Sequence, residues 1–189
     1  MNGMQICKYL WIAFLVVWVI WATRTKAAQR REGISSRLSY TVLTVAAAYL
    51  MFADTVPRAW LLIPIVPAAA WVPWVGVPVT AMGIAFAVWA RAYLGGNWSG
   101  AVTVKVDHQL VRNGPYRWVR HPIYSGMILA MLGTALARGQ VRGLVAVVLL
   151  FAGFKIKSKI EEQAMLSTFG AEYDEYSRST GAILPRLRF

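Results

Sequence analysis

Apolar and polar positions fall in long blocks along the chain. Met4 to Thr23 is apolar, with Lys8 as its one charge near the start. A helix needs about 20 such residues to cross a hydrocarbon core of about 30 Å, so this block predicts a transmembrane helix. Leu38 to Ala53 predicts a second, ended by Asp54 and Pro57. Trp60 to Pro78 is equally apolar, but Pro64, Pro67, Pro73 and Pro78 interrupt it, and a continuous helix tolerates such breaks poorly. Its first half reads as a broken or interfacial segment leading into a third span, about Trp74 to Tyr93. A polar and charged loop follows, Gly95 to Arg120. Pro122 to Ala137 and Leu144 to Phe154 then form a helical hairpin around Arg138-Gly139-Gln140-Val141-Arg142, and the chain is charged and mixed from Lys155 onward. The pattern predicts an all-α, polytopic integral membrane protein of about five spans. Residues 1–93 form the N-terminal transmembrane helices, and 94–189 hold the loop, the hairpin and a C-terminal helix.

Composition agrees. Apolar residues make up 58% of the 189 and charged residues 15%, against roughly half and about a quarter in soluble domains. A soluble enzyme and intrinsic disorder are both excluded on this basis. The first block is too long for a signal peptide, and a basic segment follows it where a small-residue cleavage site belongs. The single cysteine, Cys7, forms no internal disulfide, and two histidines are too few for most metal sites, so no metal is expected.

The net charge of +12 has an orderly distribution. With the N-terminus outside, five cations (Arg24, Lys26, Arg30, Arg31, Arg37) lie in the first cytoplasmic segment. Five more (Arg91, Lys105, Arg112, Arg117, Arg120) lie in the second and six in the C-terminal part, leaving Lys8, Arg58, Arg138 and Arg142 outside. That is the positive-inside pattern for five crossings with a cytoplasmic C-terminus. Topology alone explains the basic residues, so nucleic acid is not an expected partner, whereas anionic membrane lipids are.

Candidate chemistry concentrates in one cytoplasmic stretch. Between Val106 and Tyr124 stand both histidines (His108 and His121), two tyrosines, Trp118 and several arginines. A plain charged loop with a turn at Asn113-Gly114-Pro115 is one reading. The favoured one is an anionic-ligand site. Pro122 suits the first position of a helix, with His121 at its cap, and the free amides and positive dipole end there attract an anion that Arg120 and His121 reinforce. In the tail, positions 162, 166, 169, 173 and 176 place Glu, Leu, Phe, Tyr and Tyr on one helical stripe. Glu162 therefore points inward and needs a partner; a dipole-favoured acid or a salt bridge to Lys159 or an Arg is the structural alternative. Glu161, off the stripe, reads as the solvated one. Arg91 is either an interfacial anchor or a fork for a substrate carboxylate, and Lys155 has the same two readings, with the anchor favoured.

Gly114-Pro-Tyr-Arg-Trp-Val-Arg-His-Pro-Ile-Tyr-Ser-Gly126, followed by Glu161-Glu162, Leu166, Phe169-Gly170, Tyr173 and Tyr176, resembles the paired motifs of the isoprenylcysteine carboxyl methyltransferase family. The resemblance runs from about Arg91 to Leu184. It implies S-adenosylmethionine as cofactor, in a cytosol-facing pocket closed by the C-terminal segment, with the catalytic core in 94–189. Carried over by motif, His108, Gln109, Leu110, Val111, Gly114, Pro115, Tyr116, Arg120, His121, Pro122 and Tyr124 line that pocket with Glu161 and Glu162. Arg91, Tyr124 and Lys155 serve the acceptor side, the last standing where the family's eukaryotic members have an arginine. The implied acceptor is a prenylcysteine carboxylate or another lipophilic small molecule, with a thiol or amine open. In-line transfer to an ionised carboxylate requires alignment and exclusion of water, not a general base; rings such as Tyr116, Trp118 and Tyr124 suit a sulfonium. An NADPH-dependent membrane reductase and a non-enzymatic scaffold are the alternatives. The short chain looks prokaryotic, which places it in an inner or plasma membrane with its active site toward the cytoplasm.

Overall fold

The computed structural model describes residues 2–23, 28–31, 33–56, 58–67, 69, 71–95, 98, 103–105 and 110–186. Helices occupy the five apolar blocks. They are α1 (Gly3–Ala22), α2 (Ile34–Phe52), α3 (Val72–Leu94), α4 (Pro122–Arg138) and α5 (Val141–Phe169), followed by the short α6 (Ala171–Ser179). Local chemistry explains the ends. Asn2 and Gln5 close a reciprocal capping box on α1, each bond 2.8 Å long. Pro73 sits in the first turn of α3 and Pro122 opens α4, where a missing N–H costs nothing. Gly139, at φ 65°, takes the left-handed conformation that stops α4.

The proline-rich segment after α2 does not form a long helix. A 3-10 turn at Ala59–Leu62 leads into Ile63 to Ile65, which pair with the α4–α5 turn: the Ile65 amide donates to Gly139 and the Val141 amide to Ile63, at 2.9 and 3.0 Å. The broken reading of this segment therefore holds.

α3 packs most extensively on α4, through small residues. Gly76, Thr80, Gly83 and Ala87 on one helix face Gly126, Ala130, Gly133 and Ala137 on the other. This small-residue spacing lets helix backbones approach closely in a membrane, where association depends on packing rather than on expelling water. A buried polar network crosses the same contact. The Trp11 indole N–H donates to the Thr134 hydroxyl at 2.9 Å, and the Thr80 and Thr134 hydroxyls lie 3.2 Å apart. Thr134→Val removes the indole's acceptor and is expected to lower stability by about 1 kcal/mol, read as an earlier thermal transition in detergent.

The outward faces are apolar. Ile12, Leu15, Val16, Val19 and Ile20 of α1 and Leu38, Val42 and Val45 of α2 are all exposed, more large apolar side chains on each helix than the singly scattered ones of a soluble monomer. Among the described residues, α1 and α3 are long and apolar enough to cross a membrane on their own; α2 opens on Ser35, Ser36 and Arg37, and α4 has 17 residues.

Three features depart from the sequence expectation. A two-stranded antiparallel ribbon joins β1 (Ala28–Arg31) to β2 (Thr103–Lys105), which the all-α expectation did not include. α5 runs unbroken through Phe154 for 29 residues, about 44 Å. It joins the apolar half of the hairpin to the charged segment carrying Glu161 and Glu162. The chain then breaks at Gly170, with φ 52° and ψ −124°, and α6 turns back, so the stripe from 162 to 176 spans two helices.

Candidate active site

The loop before α4 is shaped by its contacts with α3. Gly114 has φ 58°, and a Cβ there would lie 2.5 Å from the Tyr93 ring, so glycine is required by both conformation and space. Pro115 and Tyr116 follow in a 3-10 turn, both buried, and the Tyr116 hydroxyl donates to the Ala90 carbonyl at 3.3 Å. This turn delivers Arg120 and His121 to the start of α4, with His121 at the cap and Pro122 first in the helix, as expected.

Both carboxylates of the tail converge on this point. The Arg120 guanidinium donates to Glu162 Oε1 from Nε and Nη2, at 3.0 and 2.7 Å. His121 Nε2 is 3.1 Å from the same oxygen, and its Nδ1 is 3.3 Å from Glu161 Oε2. The Tyr124 hydroxyl donates to Glu161 Oε1 at 2.6 Å. Lys157, one helical turn before Glu161, holds its ammonium 4.0 Å from that carboxylate. The same ammonium lies over the Tyr40 and Tyr124 rings at 5.2 and 5.6 Å, and the Tyr124 ring stacks on His121 and Phe154. The side chains of His121 and Arg120 are only 9% and 11% exposed, so these contacts are shielded from solvent.

The anion expected at the start of α4 is thus supplied by the chain itself. Glu161 is not the solvated member of the pair: it is slightly less exposed than Glu162 and makes its own three contacts. The stripe placed it wrongly because the partners converge from α4 and from its own helix, covering both carboxylates.

An imidazole facing a carboxylate from each nitrogen donates to both only when doubly protonated. Burial works against that charge, but the hydrogen bonds and charges of Glu161 and Glu162 outweigh it, and the His121 pKa is raised. Burial likewise works against both carboxylates. Bonding to His121, helped by Lys157 for Glu161 and by Arg120 for Glu162, holds their pKa values below the usual range. The signs set a pH window. Stability from charged His121 is complete below the imidazole's ordinary pKa of 6.5 and is lost as pH rises through its higher folded value. Stability from the carboxylates is lost as pH falls through their depressed values. The stability gap between the unsubstituted protein and His121→Gln is therefore expected to shrink as pH rises, measured by thermal unfolding across a pH series. A gap independent of pH would show that His121 is neutral.

The C-terminal segment is strapped over this cluster. Val119 and Gly181 form a parallel bridge, with the Arg120 and His121 amides donating to Gly181 and Ala182 at 2.8 and 2.9 Å. Arg120 Nη1 also donates to the Ser177 carbonyl at 2.8 Å and to that of Thr180. Ser125 donates to the Ile183 carbonyl, Tyr176 to that of Tyr116 at 2.5 Å, and Arg112 pairs with Glu172. Burial pushes the Tyr176 phenol up to about 12, so it remains a donor.

Other candidates sit apart. Arg91 is 3% exposed at the end of α3, where it donates to the Gly95 carbonyl at 2.7 Å and the Trp21 carbonyl at 3.1 Å. Its guanidinium lies 4.4 Å from the Trp98 ring centre, and its Nε is buried without a partner. Tyr116 links the two regions, since the charges of both Arg91 and Glu161 act on it. Leu110 and Val111 are half-buried. His108 and Gln109 lie outside the described residues.

Lys155 is exposed and is not brought to the cluster; Lys157 is. Two residues rotate a helix by about 200°, so only one of the two lysines can face the carboxylates. Sequence reasoning missed Lys157 and Tyr40. The four-residue spacing from Lys157 to Glu161 was a readable signal for the first; nothing local marked the second.

The model of the family described as phospholipid methyltransferase matches residues 71–172, just over half of the chain. The chain belongs to the phospholipid methyltransferase family. The matched region contains α3, α4, α5 and every residue of the cluster except Tyr40. Within that family the resemblance to isoprenylcysteine carboxyl methyltransferases holds. A protein-S-isoprenylcysteine O-methyltransferase of Tribolium castaneum is 29% identical over 149 residues, 77% of this chain and 51% of that protein. The enzyme of the same name from Saccharomyces cerevisiae is 36% identical over 80 residues, 42% of this chain and 34% of its own. A solved structure, titled as a eukaryotic intramembrane Ras methyltransferase, superposes with a TM-score of 0.57 at 27% identity, covering 78% of this chain and 52% of that one. The chain spans about a third to a half of the length of these relatives. The apolar outer faces, the two membrane-length helices and the intramembrane neighbour together make this an integral membrane protein. Neither the reductase nor the scaffold reading draws support from these relatives.

Proposed function

We propose that this chain is a membrane methyltransferase that uses S-adenosylmethionine to methylate the carboxylate of an isoprenylcysteine-like or other small lipophilic acceptor. The observation that carries the reading is the joining of both motifs into one shielded network, Arg120, His121 and Tyr124 with Glu161 and Glu162. The relatives' printed names point to the same reaction. Five crossings with the cluster toward the cytoplasm accord with the charge distribution.

The residues fit the donor's chemistry. The stacked Tyr124 ring suits a positively charged sulfur, and the unpartnered Nε of Arg91 suits a carboxylate oxygen. When bound, S-adenosylmethionine supplies a methyl group on a positively charged sulfur, which leaves as a neutral thioether as the acceptor oxygen takes the carbon. Leu110, Val111, Gly114 to Tyr116, Arg120 to Pro122, Tyr124 and the glutamate pair hold it in this reading, with His108 and Gln109 alongside. Arg91 faces the acceptor carboxylate in this reading, while Lys157, which unlike Lys155 reaches the cluster, holds Glu161. An ionised acceptor gives up no proton, so these residues align the reactants and the strap from Thr180 to Ile183 excludes water.

Transfer of labelled methyl from S-adenosylmethionine to an N-acetylated prenylcysteine in detergent tests the proposal. Base-labile label in the lipid fraction is expected, and its absence with protein shown to be folded would exclude a prenylcysteine as the acceptor. Tyr124→Phe removes one hydrogen bond to Glu161 and is expected to lower kcat/KM about tenfold, roughly the energy of one such bond.

A further inference from the structure

Several exposed cations stand close in sequence to the cluster's residues with no acid partner among the described residues. Among the described residues, the acids of α6 are largely committed: Glu172 pairs with Arg112, and Asp174 with Arg178. Glu161 and Glu162 are enclosed with His121, Arg120 and Lys157. Among the described residues, the exposed cations nearest the cluster in sequence and unmatched by an acid are Arg37, Arg117, Lys159 and Arg186, against Glu175 as the one unpaired acid.

Their positions form a rim. Lys159 lies three residues before Glu162 on α5. Arg37 is three residues before Tyr40, the α2 tyrosine whose ring faces the Lys157 ammonium. Arg117 sits between Tyr116 and Trp118 in the turn that delivers Arg120, and Arg186 follows the strap's Ile183. Arg37, Arg117 and Lys159 thus lie one to three residues from Tyr40, Tyr116 and Glu162, no more than about one helical turn of 5.4 Å along the backbone, inside a Debye length of about 8 Å at physiological salt.

We infer that this rim sorts acceptors by the charge beside their carboxylate, favouring a lipophilic acid with anionic or neutral neighbours over one attached to a cationic peptide. The inference rests on the methyltransferase reading and narrows its substrate class. A single-sign rim raises the local concentration of oppositely charged ligands and repels like-charged ones, acting mainly on encounter and strongly dependent on salt.

The test uses three acceptors: an N-acetylated prenylcysteine, and two short prenylcysteine peptides differing only in a Glu-Glu or Lys-Lys pair beside the modified residue. Equilibrium binding and methyl transfer are both measured with full-length protein in an uncharged detergent. The expected order is Glu-Glu, then neutral, then Lys-Lys, spanning about tenfold at low salt and converging at high salt. The Arg37→Glu, Lys159→Glu double variant is expected to flatten or invert the order, and to slow the singly charged N-acetylated prenylcysteine less than the Glu-Glu peptide. Equal treatment of the two peptides at low salt, or a preference for Lys-Lys, would overturn the rim. Ordered binding without transfer would keep the rim and sink the methyltransferase reading, and failure to bind any of the three would overturn both.

Discussion

Replacing Glu162 with alanine is expected to cost about 2–4 kcal/mol of stability and to release the C-terminal strap. The carboxylate receives two bonds from Arg120 and one contact from His121. Without it, a guanidinium and an imidazole that are about nine-tenths enclosed lose a shared counter-charge. Removing one partner of a buried ion pair typically costs about 3–5 kcal/mol; the Glu162 side chain is 26% exposed, so water recovers part of that. The loss spreads because the same Arg120 also binds the Ser177 and Thr180 carbonyls, and an unanchored guanidinium holds the strap less firmly. Thermal unfolding gives the energy, and limited proteolysis after residue 170 reports the strap. Glu162→Gln, which keeps the shape and one acceptor, should lose less. Equal stability of Glu162→Ala and the unsubstituted protein would show that the cluster does not anchor the C-terminus.

The second large effect lies in the membrane half. Gly83→Leu is expected to cost at least about 3 kcal/mol or to prevent assembly of α3 with α4. A Cβ on Gly83 would lie 2.3 Å from the Ala130 nitrogen and 2.5 Å from the Gly126 oxygen. Both are backbone atoms of the facing helix, so no side-chain rotation relieves the overlap and the helices must separate. Separation would also pull Thr80 from Thr134. Arg91, at the end of the same helix, would move relative to the Tyr116 turn. Gly33→Ala is the control: φ is −68° and nothing lies within 4 Å, so little change is expected. The measurements are detergent thermal stability and the yield of monodisperse protein, and a stable Gly83→Leu variant would contradict the close α3–α4 packing.

What the sequence made legible follows from the range of the interactions involved. The helices at the five apolar blocks, the proline break after α2, the start of α4 at Pro122 and the partnered Glu162 all rest on local signals, and all are present. The α5 boundary at Phe154 does not, because a change from apolar to charged composition marks a change of solvent rather than a helix end. Gly170 broke the stripe from Glu162 to Tyr176, and of its five positions Tyr173 and Tyr176 are the buried ones; Leu166 is exposed. Lys155 and Lys157 were indistinguishable without the rotational phase of a continuous α5. The β1–β2 ribbon and the Val119–Gly181 bridge join residues more than 60 positions apart, and backbone pairing at that distance leaves no local periodicity to read.

The central claim, that the paired motifs form one donor site, is tested most directly by titration calorimetry of S-adenosylmethionine into the detergent-purified protein, beside NADPH and beside Glu162→Gln. Saturable binding of S-adenosylmethionine is predicted, competed by its demethylated product and strongly weakened in Glu162→Gln protein that retains its thermal transition. NADPH binding alone, or no heat from either ligand with folded protein, would contradict the account.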